Sequence, residues 1–386
     1  MRSHRCLRPL YLLWIFGAPA LGQTDAGRRP TPAALQSLNP EIGVVGDVVG
    51  RASELPPPAG EEDGGIDRFS FREAEIVFGS FVDPFARADF AFVFSDAGES
   101  PEIEEGFITL FHLPLGLRGR AGKFRSKIGR ANLMDLNALP FVTEPEVIGR
   151  YFGEEGFSRT GIQLGRLIPA GPLFLELTGE LLDGGRDEEE PLAISSDRSA
   201  PTYVAHLRGY GDFTSRSNLE VGLTWVLAGD NRLLEEDPLT GETVPGDPYG
   251  TSIYGTDLSY RYRRNRFRAL LLRFEGYRVN RDLAGFHAAG TARQDGFYAH
   301  SDLRFHPRWS AGLRYDRVEP LSFDVPEPDR ARDDVQGYAA YATFEQSEFA
   351  RIRVQYQRTD EIDGFENDEL FLQVRFQIGI DRHGLQ

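Results

Sequence analysis

The sequence predicts an all-β fold, a transmembrane antiparallel up-and-down β-barrel of about sixteen strands. Three observations predict it: apolar and polar residues alternate along many short segments, short and long connections alternate between those segments, and aromatic residues cluster at segment ends. Seven short and eight long connections would join sixteen strands, with both termini on the short-turn side. Outer-membrane barrels have this layout, with short periplasmic turns and long external loops.

The alternation is clearest in the predicted last strand, Asp368–Ile380, in which six apolar residues share one parity. Residues of one parity point to the same face of a strand, so Gln373 and Arg375 share the opposite face. In Ala350–Gln357, arginine or glutamine occupies every second position. An inner face of this kind suits a wet lumen and does not suit the packed core of a soluble sandwich.

The other predicted strands have the same period of two and are bounded by turn residues or by long polar stretches. The sixteen predicted strands are Ile42–Gly50, Phe69–Phe81, Arg87–Phe94, Glu105–Leu113, Leu117–Arg125, Thr160–Ile168, Pro172–Leu181, Pro201–Gly211, Arg216–Leu227, Ser252–Tyr262, Phe267–Arg278, Gly296–Phe305, Trp309–Val318, Val335–Phe344, Phe349–Arg358 and Asp368–Ile380.

Residues 1–22 are predicted to be a signal peptide that is cleaved on export. Three arginines begin this segment, the apolar run Leu10–Ala20 follows, and Ala20 and Gly22 supply the small residues that a signal peptidase reads. The apolar run is too short to span a bilayer. Residues 23–38 are then expected to form a periplasmic N-terminal tail and residues 39–386 a single β-barrel pore domain in the cell outer membrane.

Composition excludes several classes of function. Cys6 lies within the predicted signal peptide, so the mature chain has no thiol for a disulfide, an iron–sulfur cluster or a nucleophile. Without the three signal arginines, 40 basic residues remain against 59 acidic ones, which argues against nucleic acid as a partner. The sequence has no metal-binding or phosphate-cradling motif, and we expect neither a metal nor another cofactor.

An enzyme is not expected either. His300, Ser301 and Asp302 contain the residue types of a hydrolytic triad. Adjacent residues of a strand point to opposite faces, however, so these three cannot form a triad with one another. No Gly-x-Ser-x-Gly motif is present.

Two alternatives to an open pore stay compatible with the sequence. One is a structural or adhesion outer-membrane barrel with a plugged lumen. The other is a soluble exported all-β binding protein, whose strands would also alternate. A soluble sandwich would not predict the strict alternation of short and long connections, which favours the membrane barrel.

The segment Gly122–Gly161 is the least generic part of the chain. It contains, in this order, Gly122-Lys123-Phe124-Arg125, Gly129-Arg130-Ala131-Asn132, Leu139-Pro140-Phe141-Val142 and Phe152-Gly153-Glu154-Glu155-Gly156. These pieces resemble the corresponding region of porins in the phosphate-selective porin O and P superfamily. The ends of the barrel domain, Asn39-Pro40-Glu41-Ile42 and Phe376-Gln377-Ile378-Gly379, resemble those of uncharacterised members of that group.

The resemblance implies a sixteen-stranded, often trimeric barrel in which a long loop folds inward and narrows the lumen. Phosphate-selecting members carry lysine clusters at their vestibules, whereas Lys123 and Lys127 are the only lysines of this chain. We therefore expect an outer-membrane porin for passive diffusion of small hydrophilic solutes or ions. Its expected partners are outer-membrane lipid, lipopolysaccharide and small hydrophilic solutes. The resemblance implies a homotrimer, but the sequence leaves monomer and trimer open, because a lipid-facing surface and an oligomer-facing surface are both apolar bands.

Strand parity and the long loop, residues 127–159, nominate the residues that would line the pore or its constriction. They are Arg118, Arg120, Arg125, Asn132, Asp135, Asn137, Glu144, Arg261, Arg263, Arg351, Arg353 and Arg375. Acidic residues of other strands, such as Glu176 and Glu220, would face the arginines. The sequence leaves two interpretations open: a transverse field that orients charged solutes, or a salt-bridged wall that keeps the lumen hydrated.

Overall fold

The computed structural model describes residues 40–53, 68–95, 101–153, 156–184, 200–236, 243–282, 291–320, 334–362 and 364–379. The predicted signal peptide, residues 1–22, and the predicted periplasmic tail, residues 23–38, lie outside the described residues.

The described residues form sixteen antiparallel strands that close into one barrel. Each strand pairs with its neighbours in chain order, and β1 pairs with β16, with Asp47 opposite Arg375 at the seam. Closure satisfies the backbone groups that a free strand edge would expose. The predicted fold class and strand count are therefore confirmed. The strands are β1 Glu41–Ser53, β2 Arg68–Asp83, β3 Ala86–Phe94, β4 Glu102–Leu113, β5 Leu117–Arg125, β6 Ser158–Ala170, β7 Leu173–Leu182, β8 Thr202–Thr214, β9 Ser217–Glu236, β10 Thr243–Arg263, β11 Ala269–Asp282, β12 Thr291–His306, β13 Trp309–Val318, β14 Val335–Glu345, β15 Ala350–Asp360 and β16 Glu366–Gly379.

Short turns join strands at one end of the barrel. Between β2 and β3, Asp83 Oδ1 accepts a hydrogen bond from the Phe85 backbone N–H at 2.7 Å. Between β10 and β11, Asn265 Oδ1 accepts hydrogen bonds from the N–H groups of Phe267 and Arg268, each at 2.9 Å. Side-chain acceptors of this kind fix tight turns. The start of β1 and the end of β16 lie together at this short-turn end.

The longest connection without strand structure among the described residues joins β5 to β6. It contains two 3-10 segments, Ala131–Leu133 and Leu136–Ala138, and the helix α1, Glu146–Phe152. A further 3-10 turn, Pro114–Gly116, joins β4 to β5. None of the described helices has the length and hydropathy that crossing a membrane would require.

The period of two separates an apolar outer face from a polar inner face. On β9, Leu223 is 53% exposed, whereas the next residue, Thr224, is 5% exposed. On β16, Gln373 and Arg375 are buried inside while the apolar residues between them point outward. The inward and outward faces predicted for the last strand are thus the observed ones.

The main difference from the prediction concerns strand length. The segment Ala228–Thr251, predicted as a long loop, is mostly an extension of β9 and β10. Two paired strands continue to satisfy each other's backbone hydrogen bonds beyond a barrel rim, whatever their side-chain pattern, so parity does not show where they stop. Ile380, the predicted last strand residue, lies outside the described residues.

A charged substitution on the outer face tests whether the apolar residues there form a membrane-facing band. We expect Leu223→Arg to lower the free energy of unfolding by about 2–4 kcal/mol, because an arginine near the middle of the band must leave water. Phe213→Arg, at the short-turn end where the side chain is 73% exposed, should cost about 0–1 kcal/mol. Denaturant unfolding in lipid vesicles measures both, and equal effects would contradict the assignment of the band.

Candidate pore constriction

The interior of the barrel holds most of the connection between β5 and β6. We call residues 126–153 and 156–157 of this connection the inner segment. Its two ends meet where the Ser126 N–H donates to the Phe157 carbonyl at 2.9 Å. Asn132 ties both ends together: Nδ2 donates to the carbonyls of Ser126 (2.8 Å) and Phe157 (3.0 Å), and Oδ1 accepts from the Phe157 N–H at 2.6 Å. A fully buried amide with three backbone partners fixes this closure.

Two glycines allow the inner segment to fit closely. A Cβ on Gly129 would lie 2.2 Å from Tyr277 Oη and 2.3 Å from Glu275 Oε2, so only glycine permits this approach to the wall at β11. Gly156 has φ +69°, and a Cβ there would lie 2.5 Å from Asn132 Oδ1. Both glycines belong to the motifs that carry the family resemblance, so those motifs fall on positions that set the close packing of this segment.

An apolar cluster fills the interior beside β11, β12 and β13. The Phe141 ring meets Tyr298 edge-to-face, with centroids 6.2 Å apart, and the Arg314 guanidinium lies 4.5 Å from the centre of the same ring. Helix α1 contributes buried side chains against this wall. Burial of this much apolar surface stabilises the docked position of the segment. The cluster includes Ile128, Leu139, Phe141, Val147, Ile148, Tyr151, Phe152, Tyr277, Tyr298 and Val318.

Arginines of the wall donate to backbone carbonyls of the inner segment. Arg351 contacts the carbonyl of Asn137, and Arg353 Nη1 donates to the carbonyl of Leu139 at 3.0 Å. Arg375 Nε donates to Asn137 Oδ1 at 3.1 Å. Three arginines nominated from the sequence as pore-lining residues thus act as anchors of the segment.

Other wall residues complete this anchoring. Arg72 Nη1 donates to the Val142 carbonyl and Arg314 Nη1 to the Thr143 carbonyl, both at 2.6 Å. The Val142 N–H donates to Gln355 Oε1 at 2.8 Å. Buried backbone groups need such partners in the absence of water. Arg72, Arg314 and Gln355 were not nominated from the sequence. Arg314 and Gln355 lie at inward-facing positions of their strands, and this parity could have identified them.

Helix α1 is held at both ends by charged or polar partners. The Glu146 N–H donates to Asp316 Oδ1 at 3.1 Å, and Arg150 pairs with Glu146 at 2.8 Å and with Glu361 at 2.5 Å. Burial lowers the pKa of Arg150, but Glu146 and Glu361 outweigh it, and the net shift is upward. Arg150 therefore stays charged. Glu144, another nominated residue, is partly buried in the turn before α1.

The Tyr151 hydroxyl links α1 to the barrel wall. Tyr151 Oη donates to the Glu319 carbonyl at 2.9 Å. Burial, aided by Glu319 and Asp295, raises the pKa of the phenol, so the group stays a neutral donor at physiological pH.

A group of carboxylates surrounds Arg125 at the end of β5. Glu75, Glu104 and Asp135 present oxygens within 4.8 Å of one another, a spacing that would suit a metal ion. The Arg125 guanidinium contacts Glu104 and lies 3.2 Å from Asp135, and the Arg125 N–H donates to Glu105 at 2.8 Å. A protein cation therefore already balances these carboxylates.

Asn137 extends this polar group toward β2. Asn137 Nδ2 donates to Glu73 at 2.6 Å and to Glu75 at 3.1 Å. Of the nominated residues, Arg125, Asp135 and Asn137 thus lie together in one buried network beside β1 to β4.

A different set of charged side chains stays partly exposed on the other side of the lumen. We call it the basic wall: Arg118, Arg120, Arg208, Arg261 and Arg263 of the strands with Lys127 and Arg130 of the inner segment. Three acids interrupt it, namely Glu176, Glu220 and, opposite Asn218 at the short-turn end, Asp212. Glu176 pairs with Lys127 and, at 2.6 Å, with Arg208, while Glu220 lies 3.6 Å from Arg208 and 3.8 Å from Arg130.

Positive charge is in excess along the basic wall. Lys127 lies within electrostatic reach of Arg120 and Arg208, and Arg261 lies within electrostatic reach of Arg130 and Arg263. Burial lowers the pKa of the Lys127 amino group, and Arg208 and Arg120 lower it further against the opposing effect of Glu176. The sequence nominated Arg118, Arg120, Arg261 and Arg263 but missed Lys127, Arg130 and Arg208, whose role depends on where the inner segment docks.

The residues of the discarded triad are separated as expected. His300 and Asp302 face inward, and Ser301 lies on the opposite face. His300 Nε2 lies 2.6 Å from Tyr341 Oη, which donates to Asp302 at 3.0 Å. The two inward residues are parts of the wall packed around Phe141.

The closed barrel, apolar outer band and docked inner segment define a porin-like membrane barrel. Solved structures with this fold include the loop L8 deletion mutant of OmpT, an outer membrane protein of Vibrio cholerae, with a TM-score of 0.56 and 12% identity over 88% of this chain and 99% of that chain. The anion-selective porin of Comamonas acidovorans has a TM-score of 0.55 and 9% identity, over 88% of this chain and 99% of that chain. The outer membrane channel DcaP of Acinetobacter baumannii has a TM-score of 0.51 and 12% identity, over 88% of this chain and 96% of that chain.

Comparison of the sequence with known proteins does not identify a family. An uncharacterized protein of Aquifex aeolicus (strain VF5) is 28% identical over 365 residues, 84% of this chain and 74% of that protein. No family model matches the chain. At these identities the solved structures establish the fold.

Removal of the Asn132 amide tests the closure of the inner segment. We expect Asn132→Ala to lower the free energy of unfolding by about 2–4 kcal/mol, because the buried Phe157 N–H loses its acceptor and the carbonyls of Ser126 and Phe157 each lose one donor. Trypsin should also cleave faster after Lys127 and Arg130. Denaturant unfolding and limited proteolysis measure the two effects.

Asn280→Ala is the matched control, because Asn280 bonds Arg293 on the exposed outer side at 3.2 Å. This variant should stay within about 0.5 kcal/mol of the unsubstituted protein. Equal stability and equal cleavage of the two variants would show that Asn132 does not hold the segment.

Proposed function

We propose that the protein is an outer-membrane porin through which small hydrophilic solutes diffuse passively, with a weak preference for anions. The observation that carries the proposal is the partly exposed basic wall beside the docked inner segment. The closed barrel and the fold shared with outer-membrane channels support it. An exposed path lined by charge favours ions and polar solutes over apolar ones.

The expected anion preference follows from which charges stay accessible. The chain as a whole is acidic, with a net charge of −16. Inside the barrel, however, Asp47 pairs with Arg72, and Glu104 and Asp135 pair with Arg125. Seven cations of the basic wall face three accessible acids, Glu176, Glu220 and Asp212. A local excess of positive charge concentrates anions at the narrow part of a pore.

Finer expectations from the sequence stay part of the proposal. These are the cleaved signal peptide, residues 1–22, contact with lipopolysaccharide and a homotrimer. Descent from the phosphate-selective porin superfamily is proposed from the motifs of Gly122–Gly161, which form the end of β5, the inner segment and the start of β6. Phosphate selection itself is not proposed, because the chain lacks the lysine clusters.

A plugged barrel is the second candidate, favoured by the apolar cluster that the inner segment forms with β11 to β13. Single-channel recording in a planar bilayer separates the two. Stepwise ohmic currents are expected for the porin, and a purified, folded protein without such steps would favour the plugged barrel.

Reversal potentials in a salt gradient test the preference. Arg208→Gln should shift the permeability ratio toward cations by about two- to fivefold, the effect of one charge at 4–8 Å in a watery pore. Glu220→Gln should shift it toward anions. Arg278→Gln is the control, because Arg278 pairs with Asp295 at 2.6 Å on the outer side of the rim. Shifts of the same sign for Arg208→Gln and Glu220→Gln would contradict the role of the wall.

A further inference from the structure

The short-turn side of the lumen contains two aromatic residues where a porin-like wall is ordinarily polar. Phe174 lies opposite Tyr210, Tyr210 opposite Glu220, Glu220 opposite Ser259 and Ser259 opposite Arg273, in one row across β7 to β11. Directly opposed residues point to the same face. Because Glu220 and Arg273 face the interior, Phe174 and Tyr210 face it too.

The two rings form a flat apolar surface inside the barrel. Their centroids lie 5.3 Å apart with an interplanar angle of 18°. Arg208 lies 5.4 Å from the Tyr210 centroid and supports this ring. Phe174 is 40% exposed. An aromatic residue near the end of a membrane barrel is ordinarily part of the outer girdle, so exposure of Phe174 toward the lumen needs another explanation.

Polar groups surround this surface in a cavity of about 410 Å³. Beside Phe174 and Tyr210, its polar lining contains three cations, two acids and two neutral groups: Arg130, Arg261, Arg273, Asp212, Glu220, Asn218 and Ser259. This volume lies in the range of small-molecule sites, which combine apolar walls with a few polar groups.

Arg261 supplies a cation that the protein does not neutralise directly. It forms no ion pair or side-chain hydrogen bond with another residue in the described ranges, and three of its four charged neighbours, Arg130, Arg263 and Arg273, are also cations. The fourth, Glu220, already lies beside Arg208 and Arg130. A guanidinium in this setting favours a carboxylate, which it can bind through two parallel hydrogen bonds.

We infer that this cavity is a binding site for a small planar aromatic carboxylate. The ring would stack on Phe174 and Tyr210, and the carboxylate would accept hydrogen bonds from Arg261, with Arg130 and Asn218 as further donors. The inference rests on the proposed porin in one respect, namely that the ligand enters from the lumen. It adds a ligand class to the weak anion preference, because a basic wall alone does not distinguish flat acids from other acids.

Binding of benzoate to the full-length protein in detergent tests the inference by calorimetry. Cyclohexanecarboxylate has the same charge without a flat ring, acetate has the charge alone, and benzyl alcohol has the ring alone. Benzoate is expected to bind more tightly than all three. Equal affinities for benzoate and cyclohexanecarboxylate would overturn the site as one for aromatic acids.

Two variants and two matched controls locate the site. Arg261→Gln should weaken benzoate binding about tenfold or more, the loss expected for one charge-assisted interaction. Phe174→Leu, which keeps an apolar side chain, should weaken it about threefold to tenfold and abolish the preference over cyclohexanecarboxylate. Arg304→Gln and Phe213→Leu, outside the cavity, should leave the affinity unchanged.

Benzoate affinity unchanged in Phe174→Leu would overturn the stacking surface, even if Arg261→Gln fails to fold. Bilayer recording separates this inference from the proposed function. Ohmic conductance without benzoate binding would remove the site and leave the porin. Benzoate binding by a protein that does not conduct would remove the porin and leave the site.

Discussion

Hydrogen bonds between side chains of the barrel wall and the backbone of the inner segment hold this segment inside the barrel. A segment without strand pairing would be costly inside a barrel, because its N–H and C=O groups have lost water. Arg72, Arg314 and Arg353 donate to its carbonyls, and Gln355 accepts from its Val142 N–H. The wall thus provides the partners that a neighbouring strand provides elsewhere in the sheet.

The docked segment fills one part of the lumen and leaves another part accessible. Beside β11 to β13 the segment packs through apolar side chains, and near β1 to β4 its polar side chains join the buried carboxylates around Arg125. On the remaining side, Lys127 and Arg130 join strand arginines at a partly exposed surface. In the proposed porin, selectivity depends on which charges the segment covers, and this acidic chain thus has a basic accessible wall.

The sequence was most informative where a physical rule has a short period. All sixteen strands were predicted, because side chains alternate between lipid and lumen along every strand. It was less successful for the ends of β9 and β10, since backbone pairing continues beyond the barrel wall. It assigned Arg351, Arg353 and Arg375 to the correct face, but parity could not distinguish an arginine that meets solute from one that binds a carbonyl.

The sequence by itself determined the barrel, the inward and outward faces of its strands and the stretch of chain that forms the inner segment, because alternation and turn residues act within a few neighbours along the chain. Only the tertiary structure decided where that segment docks and which charges remain accessible. Asn132 meets Phe157, and Arg314 meets Thr143, across distances in sequence that no local pattern encodes. The row from Phe174 to Arg273 likewise arises from the pairing of five strands, and that pairing brings an aromatic surface next to Arg261.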